Sequence, residues 1–214
     1  MSETQYANYH EIPRYYLGLM SNEVWNRDPR MLGIHLSRYK FVSKMLSGKK
    51  RVAEIGCGDG FYSHVVKQEV SALDLYDFDP LISPVTAFTH DIVKNGKLPI
   101  DFPYDAIYSL DVMEHIRPLD EHAYLRNICD SLLPQGIFII GMPSLESQAY
   151  ASHASKIGHV NCHSGTGLKA VLDKYFHNVF LFSMHDEVIT TAFSPMAHYI
   201  ICVCCGVREA KNAA

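Results

Sequence analysis

No apolar run in the 214-residue sequence approaches the ~18 residues of a membrane-spanning helix; the longest, around Tyr199 to Val207, is about half that. The stretch MSETQYANYH is polar and has no apolar segment, so secretion is not expected and a cytoplasmic location is. Six cysteines are present, but Cys202 and Cys205 form a CxxC spacing without a second pair, which leaves a zinc site short of ligands. Buried, reduced thiols are the simpler expectation. A formal charge of −4 lacks the basic excess of a duplex-binding protein. No repeat or low-complexity linker divides the chain. Hydrophobic residues at 48% and charged residues at 20% exclude a disordered or fibrous chain.

What is present is a chain of one-domain size with an unevenly charged N-terminal segment. Residues 1–51 hold nine of the 19 Lys and Arg but only four of the 23 Asp and Glu. A basic segment on an acidic body suits an anionic substrate, or is simply a solvated helix face. Asp28-Pro29 reads as a helix start, and Leu32, Leu36, Tyr39, Val42 and Leu46 then recur at helical spacing. Beyond residue 48, strand-like runs fall at 51–55, 70–75, 85–90, 104–110, 136–142, 178–184 and 197–205. Helical stripes lie between several of them, notably 120–133 and 168–176. This alternation predicts an α/β fold: a seven-stranded, mostly parallel sheet covered on both faces, ending in an antiparallel hairpin. The division expected is an N-terminal helical extension over 1–48 and a ligand-binding domain over 49–214.

The strongest local signal is VAEIGCGDG, Val52 to Gly60: a short apolar strand runs into three glycines at alternate positions. Glycines there allow a sharp turn and close approach of a ligand to the backbone. The third glycine comes one residue too early for the dinucleotide fingerprint, which disfavours a pyrophosphate ligand. Asp74, followed by Leu75, is placed at the end of the second strand, where a carboxylate accepts ribose hydroxyls; Asp77 and Asp79 are its rivals. Asp91-Ile92, ending the third strand, suits an adenine amine.

With these residues in place, 51–142 resembles a class I S-adenosylmethionine-dependent methyltransferase. YDAIYSLDVMEHI and LLPQGIFIIGMPS are similar to the ubiquinone-biosynthesis O-methyltransferase branch. The resemblance implies a Rossmann-like sheet, an N-terminal lid across the site, and S-adenosylmethionine as cofactor with S-adenosylhomocysteine as product. It implies cofactor contacts at Glu54, Gly56, Gly58, Gly60, Asp74, Asp91 and Leu110, with Cys57 and Asp59 at the variable loop positions. Asp111, Glu114 and His115 resemble a magnesium site of some ubiquinone-type members; a divalent metal is compatible, but none is expected.

Glu114 and His115 follow the fourth strand beside the expected transfer point and are candidate catalytic groups, or else cap the next helix. The stretch 143–163 is long for a connection and carries Tyr150, His153, His159, Asn161 and His163. His159 and His163 join the catalytic candidates, with Gly158 allowing His159 close approach. Tyr15, Tyr16, Trp25, Arg27, Arg30, His35 and Arg38 of the lid, with Tyr150, are the candidate substrate selectors. The partner expected is a small molecule rather than nucleic acid or membrane, and the chain a monomer or homodimer.

Overall fold

A computed structural model describes residues 17–209. Two helices come first, α1 (Leu19–Arg27) and α2 (Arg30–Met45). The domain proper alternates β1 (Arg51–Ile55), α3 (Ser63–Lys67), β2 (Ala72–Asp77), β3 (Phe88–Thr89), β4 (Tyr104–Leu110), α4 (Glu121–Ser131) and β5 (Leu132–Pro143). It closes with α5 (His153–Gly158), α6 (Gly165–Leu172), β6 (Phe176–His185), β7 (Val188–Thr190) and β8 (Tyr199–Val207). No helix among the described residues is long and apolar enough to cross a membrane.

The strands form one sheet in the order β3-β2-β1-β4-β5-β8-β6-β7, parallel through β5 and antiparallel beyond it. The α/β, Rossmann-like architecture is therefore as expected, with eight strands in place of seven. The added strand is β7, which returns from β6 through a two-residue turn with Asp186 at φ +50°. β8 then inserts between β5 and β6, so the long terminal pair is antiparallel but not consecutive.

Side chains one residue apart on the central strands enter opposite cores, because the strand period is two. Ala53, Ile55, Ile107, Phe138 and Ile140 pack with Tyr124, Leu125 and Ile128 of α4 and Leu168 and Leu172 of α6. Val52, Ala106, Tyr108 and Ile139 pack with Tyr39 and Val42 of α2 and Val66 of α3. Pro134 does not break β5, since Leu132 pairs Tyr104 and Ile137 pairs Ala106, so the residues between bulge out of the ladder. Ser164 caps α6 by accepting from the Gly167 amide at 3.1 Å.

Gly141 in β5 shows how tightly the second core is filled. A Cβ there would lie 2.7 Å from Tyr199 and 2.8 Å from Leu110, both real side chains of the core. Gly141→Ala is expected to lower the unfolding free energy by about 1–3 kcal/mol through overpacking, as read by urea denaturation.

Candidate active site

Three features converge at the carboxyl end of the parallel strands: the loop after β1, the end of β2, and the turn after β4. The loop turns sharply, and Gly56 takes φ +76°. A Cβ on Gly56 would sit 2.2 Å from Val112, so only glycine fits both the backbone and the space. The Gly56 and Cys57 amides donate to the Tyr76 carbonyl at 2.8 and 3.1 Å. The Gly58 amide donates to Asp77 Oδ2 at 2.8 Å. Asp77 is the last residue of β2 and is buried.

These groups border a cavity of about 520 Å³. Gly56, Gly58 and Asp77 line one part of it, Asp91 and Ile92 another, and the turn from Asp111 to Ile116 a third. Met20 of α1 also lines it, so the first N-terminal helix borders the site. Asp91 is held in a tight turn by the Val93 and Lys94 amides and by the Lys94 ammonium.

Several expected residues stand elsewhere. Asp74 is not at a strand end: β2 runs two residues later than its hydrophobic pattern suggests, and Asp74 pairs with Ala53 in mid-strand. Its carboxylate accepts from the Tyr104 hydroxyl at 2.7 Å. Asp74, Leu75 and Gly60 border a separate cleft of about 260 Å³ instead. Glu54 lies beneath the loop rather than in the cavity. Tyr39 and Tyr108 donate to it at 2.8 and 2.6 Å, and Ser63 also donates, so it braces β1, β4, α2 and α3 together. Burial pushes its pKa up to about 7 against the opposing pull of those hydroxyls.

Cys57 and Leu110 are buried, and neither lines the cavity; the residues that follow Leu110 do. Burial raises the Cys57 thiol far above its usual range. Asp59 binds α1: its carboxylate accepts from the Ser21 amide at 2.7 Å and the Ser21 hydroxyl at 3.0 Å. A Cβ on Gly18 would fall 2.1 Å from Asp59 Cβ, so Asp59 takes the place of a capping side chain that the residue before α1 lacks.

The arginines of the N-terminal helices are engaged. Arg38 is buried, donates to Asp111 Oδ2 at 2.8 Å, and stacks 3.6 Å over the Tyr199 ring. Asp111 meets it from a left-handed backbone, φ +56°. Arg27 pairs with Glu23 and Arg30 with Asp28 on the exposed surface. Trp25 and Tyr150 are exposed and His35 bonds Tyr62; none of the three lines the cavity. Tyr15 and Tyr16 lie outside the described residues.

Among the histidines, His163 is turned away: its Nε2 bonds Glu121 at 2.9 Å, and Asn161 donates to the same oxygen. His115 lines the cavity, with Nδ1 donating to the Gly158 carbonyl at 2.9 Å. His159 stands beside it, ring centroids 5.1 Å apart, with Nδ1 donating to Gln148 Oε1 at 2.9 Å. Burial, then the neighbouring His115, lowers the His159 pKa and favours the neutral ring. Glu114 is fully buried, and neither carboxyl oxygen has a hydrogen-bond partner among the described residues. Burial and then Asp111 push its pKa well up.

A family described as a methyltransferase domain matches residues 30–175, which include the glycine loop, Asp77 at the end of β2, Asp91 in the turn two residues beyond β3 rather than at its end, and the histidine pair. The chain belongs to this methyltransferase family. No curated protein sequence matches it significantly. Solved structures share its fold at low identity. The N-methyltransferase NodS from Bradyrhizobium japonicum aligns at TM-score 0.59 and 14% identity over 86% of this chain and 99% of that one. The putative methyltransferase bound to the Haloferax volcanii Trm112 activator gives 0.64 and 14% over 91% and 100%. An S-adenosylmethionine-dependent methyltransferase from Clostridium acetobutylicum gives 0.62 and 10% over 86% and 97%.

The brace under the methyltransferase's glycine loop has a measurable consequence. A carboxyl whose pKa rises on folding stabilises the protein fully below its unfolded value and loses that contribution as pH rises through the folded value. For Glu54 the window runs from 4.5 to about 7. Glu54→Gln is expected to remove a pH-dependent loss of about 3 kcal/mol across that window, read as the wild-type-minus-variant difference in urea unfolding at each pH.

Proposed function

We propose that this methyltransferase transfers a methyl group from S-adenosylmethionine to an oxygen or nitrogen of a small metabolite. Oxygen is favoured because His115 and His159 crowd the site, and only a hydroxyl acceptor needs a proton acceptor. The observation that carries the reading is the cavity where Gly56, Gly58, Asp77, Asp91 and His115 converge. Its volume is that of a small-molecule site. The residues fit the donor: the Cβ-free loop lets a ligand lie on the backbone, and each Asp77 oxygen accepts one amide and keeps a lone pair for a ribose hydroxyl. Ile92 offers an apolar face to an adenine ring, and Asp91 a carboxylate to its amine.

The donor, when bound, supplies an electrophilic sulfonium methyl, so the chain's part is chiefly alignment. Fixing acceptor and methyl in line is worth about 7–11 kcal/mol of barrier. A proton acceptor is needed only when the attacking group is a hydroxyl. His115 serves there: the Gly158 carbonyl holds its proton on Nδ1, which leaves Nε2 a lone pair at the cavity wall. His159 keeps the neighbouring position without adding a proton. Small acceptors are favoured because Met20 of the lid borders the cavity. Arg27 and Arg30 do not line the cavity, so an anionic or sugar-linked acceptor would meet them only on its approach, where their exposed pairs exchange readily with solvent.

Calorimetric titration tests the reading. Micromolar binding of S-adenosylhomocysteine with none of NAD is expected, followed by methyl transfer to small acidic metabolites; absence of S-adenosylhomocysteine binding overturns it. Asp77→Asn is expected to weaken that binding about 10- to 100-fold, the loss of charge-assisted bonds. Asp74→Asn, in mid-strand, is expected to leave it nearly unchanged; the reverse outcome would return the ribose contact to Asp74.

A further inference from the structure

The crossover from β2 to β3 is short and carries no helix. Residues 78–87 join the two parallel strands, where such a link ordinarily takes about a dozen residues or more and lays a helix on the sheet. β3 in turn pairs only with Tyr76 and Asp77, so Ala72 to Leu75 have β1 as their one strand neighbour. The face of β2 beside α3 is thereby left open as the cleft of about 260 Å³. This cleft and the cavity assigned to methyl transfer have no lining residue in common.

The cleft has an apolar floor and a cationic wall. Leu73 packs with the core that holds Val66 of α3, and Leu75 shares its face through the strand period of two. Gly60, at φ +71°, closes one end, since a Cβ there would lie 3.0 Å from Pro84 and 3.4 Å from Leu75. His64 and Lys67, neighbours on one side of α3, supply the wall. The acidic residues at the cleft are committed elsewhere. Asp59 accepts from Ser21 and from the Phe61 amide. The Asp74 carboxylate takes the hydroxyl of Tyr104, which belongs to the core on the opposite face of the sheet. The Lys67 ammonium has no hydrogen bond or ion pair among the described residues.

We propose that this cleft binds a small organic anion with an apolar body, its acid group on Lys67 and its body on Leu73 and Leu75. Covering the two leucines favours the body, and one uncommitted cation beside them favours a single acid group. A polyanion is disfavoured, because Asp59 also borders the cleft. The volume sets the size: it falls below the range of about 300–1,000 Å³ that holds drug-sized ligands, so a fused ring pair with one carboxylate fills it.

The experiment titrates the isotope-labelled full chain with 2-naphthoate and follows its backbone amides by NMR, without S-adenosylmethionine or its product. Saturable shifts at Gly60, Lys67 and Leu75 are expected, with a Kd of ~0.1–1 mM, the scale for an acid of about a dozen heavy atoms. 2-Naphthalenemethanol lacks the charge and inorganic phosphate lacks the apolar body, and each is expected to bind about tenfold more weakly or worse. Lys67→Met is expected to cost about tenfold as well, and Thr86→Trp, which fills the mouth, to abolish saturation. Both positions are exposed, and thermal unfolding of each variant separates lost binding from lost folding. No saturation by ~10 mM, phosphate binding as tightly as naphthoate, wild-type affinity in both variants, or shifts confined to Gly58, Asp77 and Ile92 overturns the site. Because the cleft stands apart from the cavity, such a failure leaves the methyl-transfer reading where it was.

Discussion

The hydrogen bond from the Gly58 amide to Asp77 joins the loop after β1 to the end of β2, where the chain leaves both strands. A parallel sheet gives its strand ends no hairpin to tie them, so a loop at that edge needs a partner of its own. Asp77 supplies it with a buried carboxylate. The Tyr76 carbonyl, one residue earlier, takes the amides of Gly56 and Cys57. The loop's left-handed glycines follow from this tether, because the chain must turn back over β2 within a few residues. The cavity follows from the loop, and the position of α1 follows through Asp59, which the same turn places against Ser21.

Two buried glutamates show how a carboxyl inside the protein is read by its partners. Glu54 and Glu114 are both fully buried, and burial raises both pKa values. Glu54 has three hydroxyl donors from three elements, so its charge and its lone pairs are accounted for within the fold. Glu114 has none among the described residues, and its neighbours are Asp111 and two imidazoles. Desolvation alone does not distinguish a brace from a site. The identity of the groups facing the carboxyl does.

The glycine loop, the strand alternation and the helices α2, α4 and α6 were legible because their signals are local: a short motif, a period of two, a period near 3.6. Asp77 was legible only as a rival to Asp74, since the apolar pattern of residues 70–76 marks a strand without marking where it stops. The faces of Asp74 and Asp77 then depend on a ladder to β1 that the sequence does not print. Arg38 was named as a substrate selector because a basic helix residue looks free in sequence. Its partner Asp111 is 73 positions away. His163 was lost to Glu121 for the same reason, 42 positions apart. The histidine-rich stretch after β5 was visible as a cluster, but the member that faces His115 was decided by the backbone bonds that pin residues 158–161 to Glu114.

The N-terminal helices are tied to the loop after β1 and to the turn after β4, and the two ties differ in kind. Ser21 reaches Asp59 through a helix N-terminus, a contact within the first turn of a nine-residue helix. Arg38 reaches Asp111 from the middle of α2, buried and stacked on Tyr199, with Tyr39 beside it bonded to Glu54. The second tie is the deeper one, because breaking it strands a guanidinium and a carboxylate that are partly out of water. α2 is thereby part of the core under the sheet, whereas α1 meets the site through Ser21 on Asp59 and Met20 beside Gly58. The border between the two helices, at Asp28-Pro29, is where proline and an aspartate turn already fix the change of direction. The two helices of the N-terminal extension thus differ in how they join the rest of the structure, α2 through the core and α1 through the loop after β1.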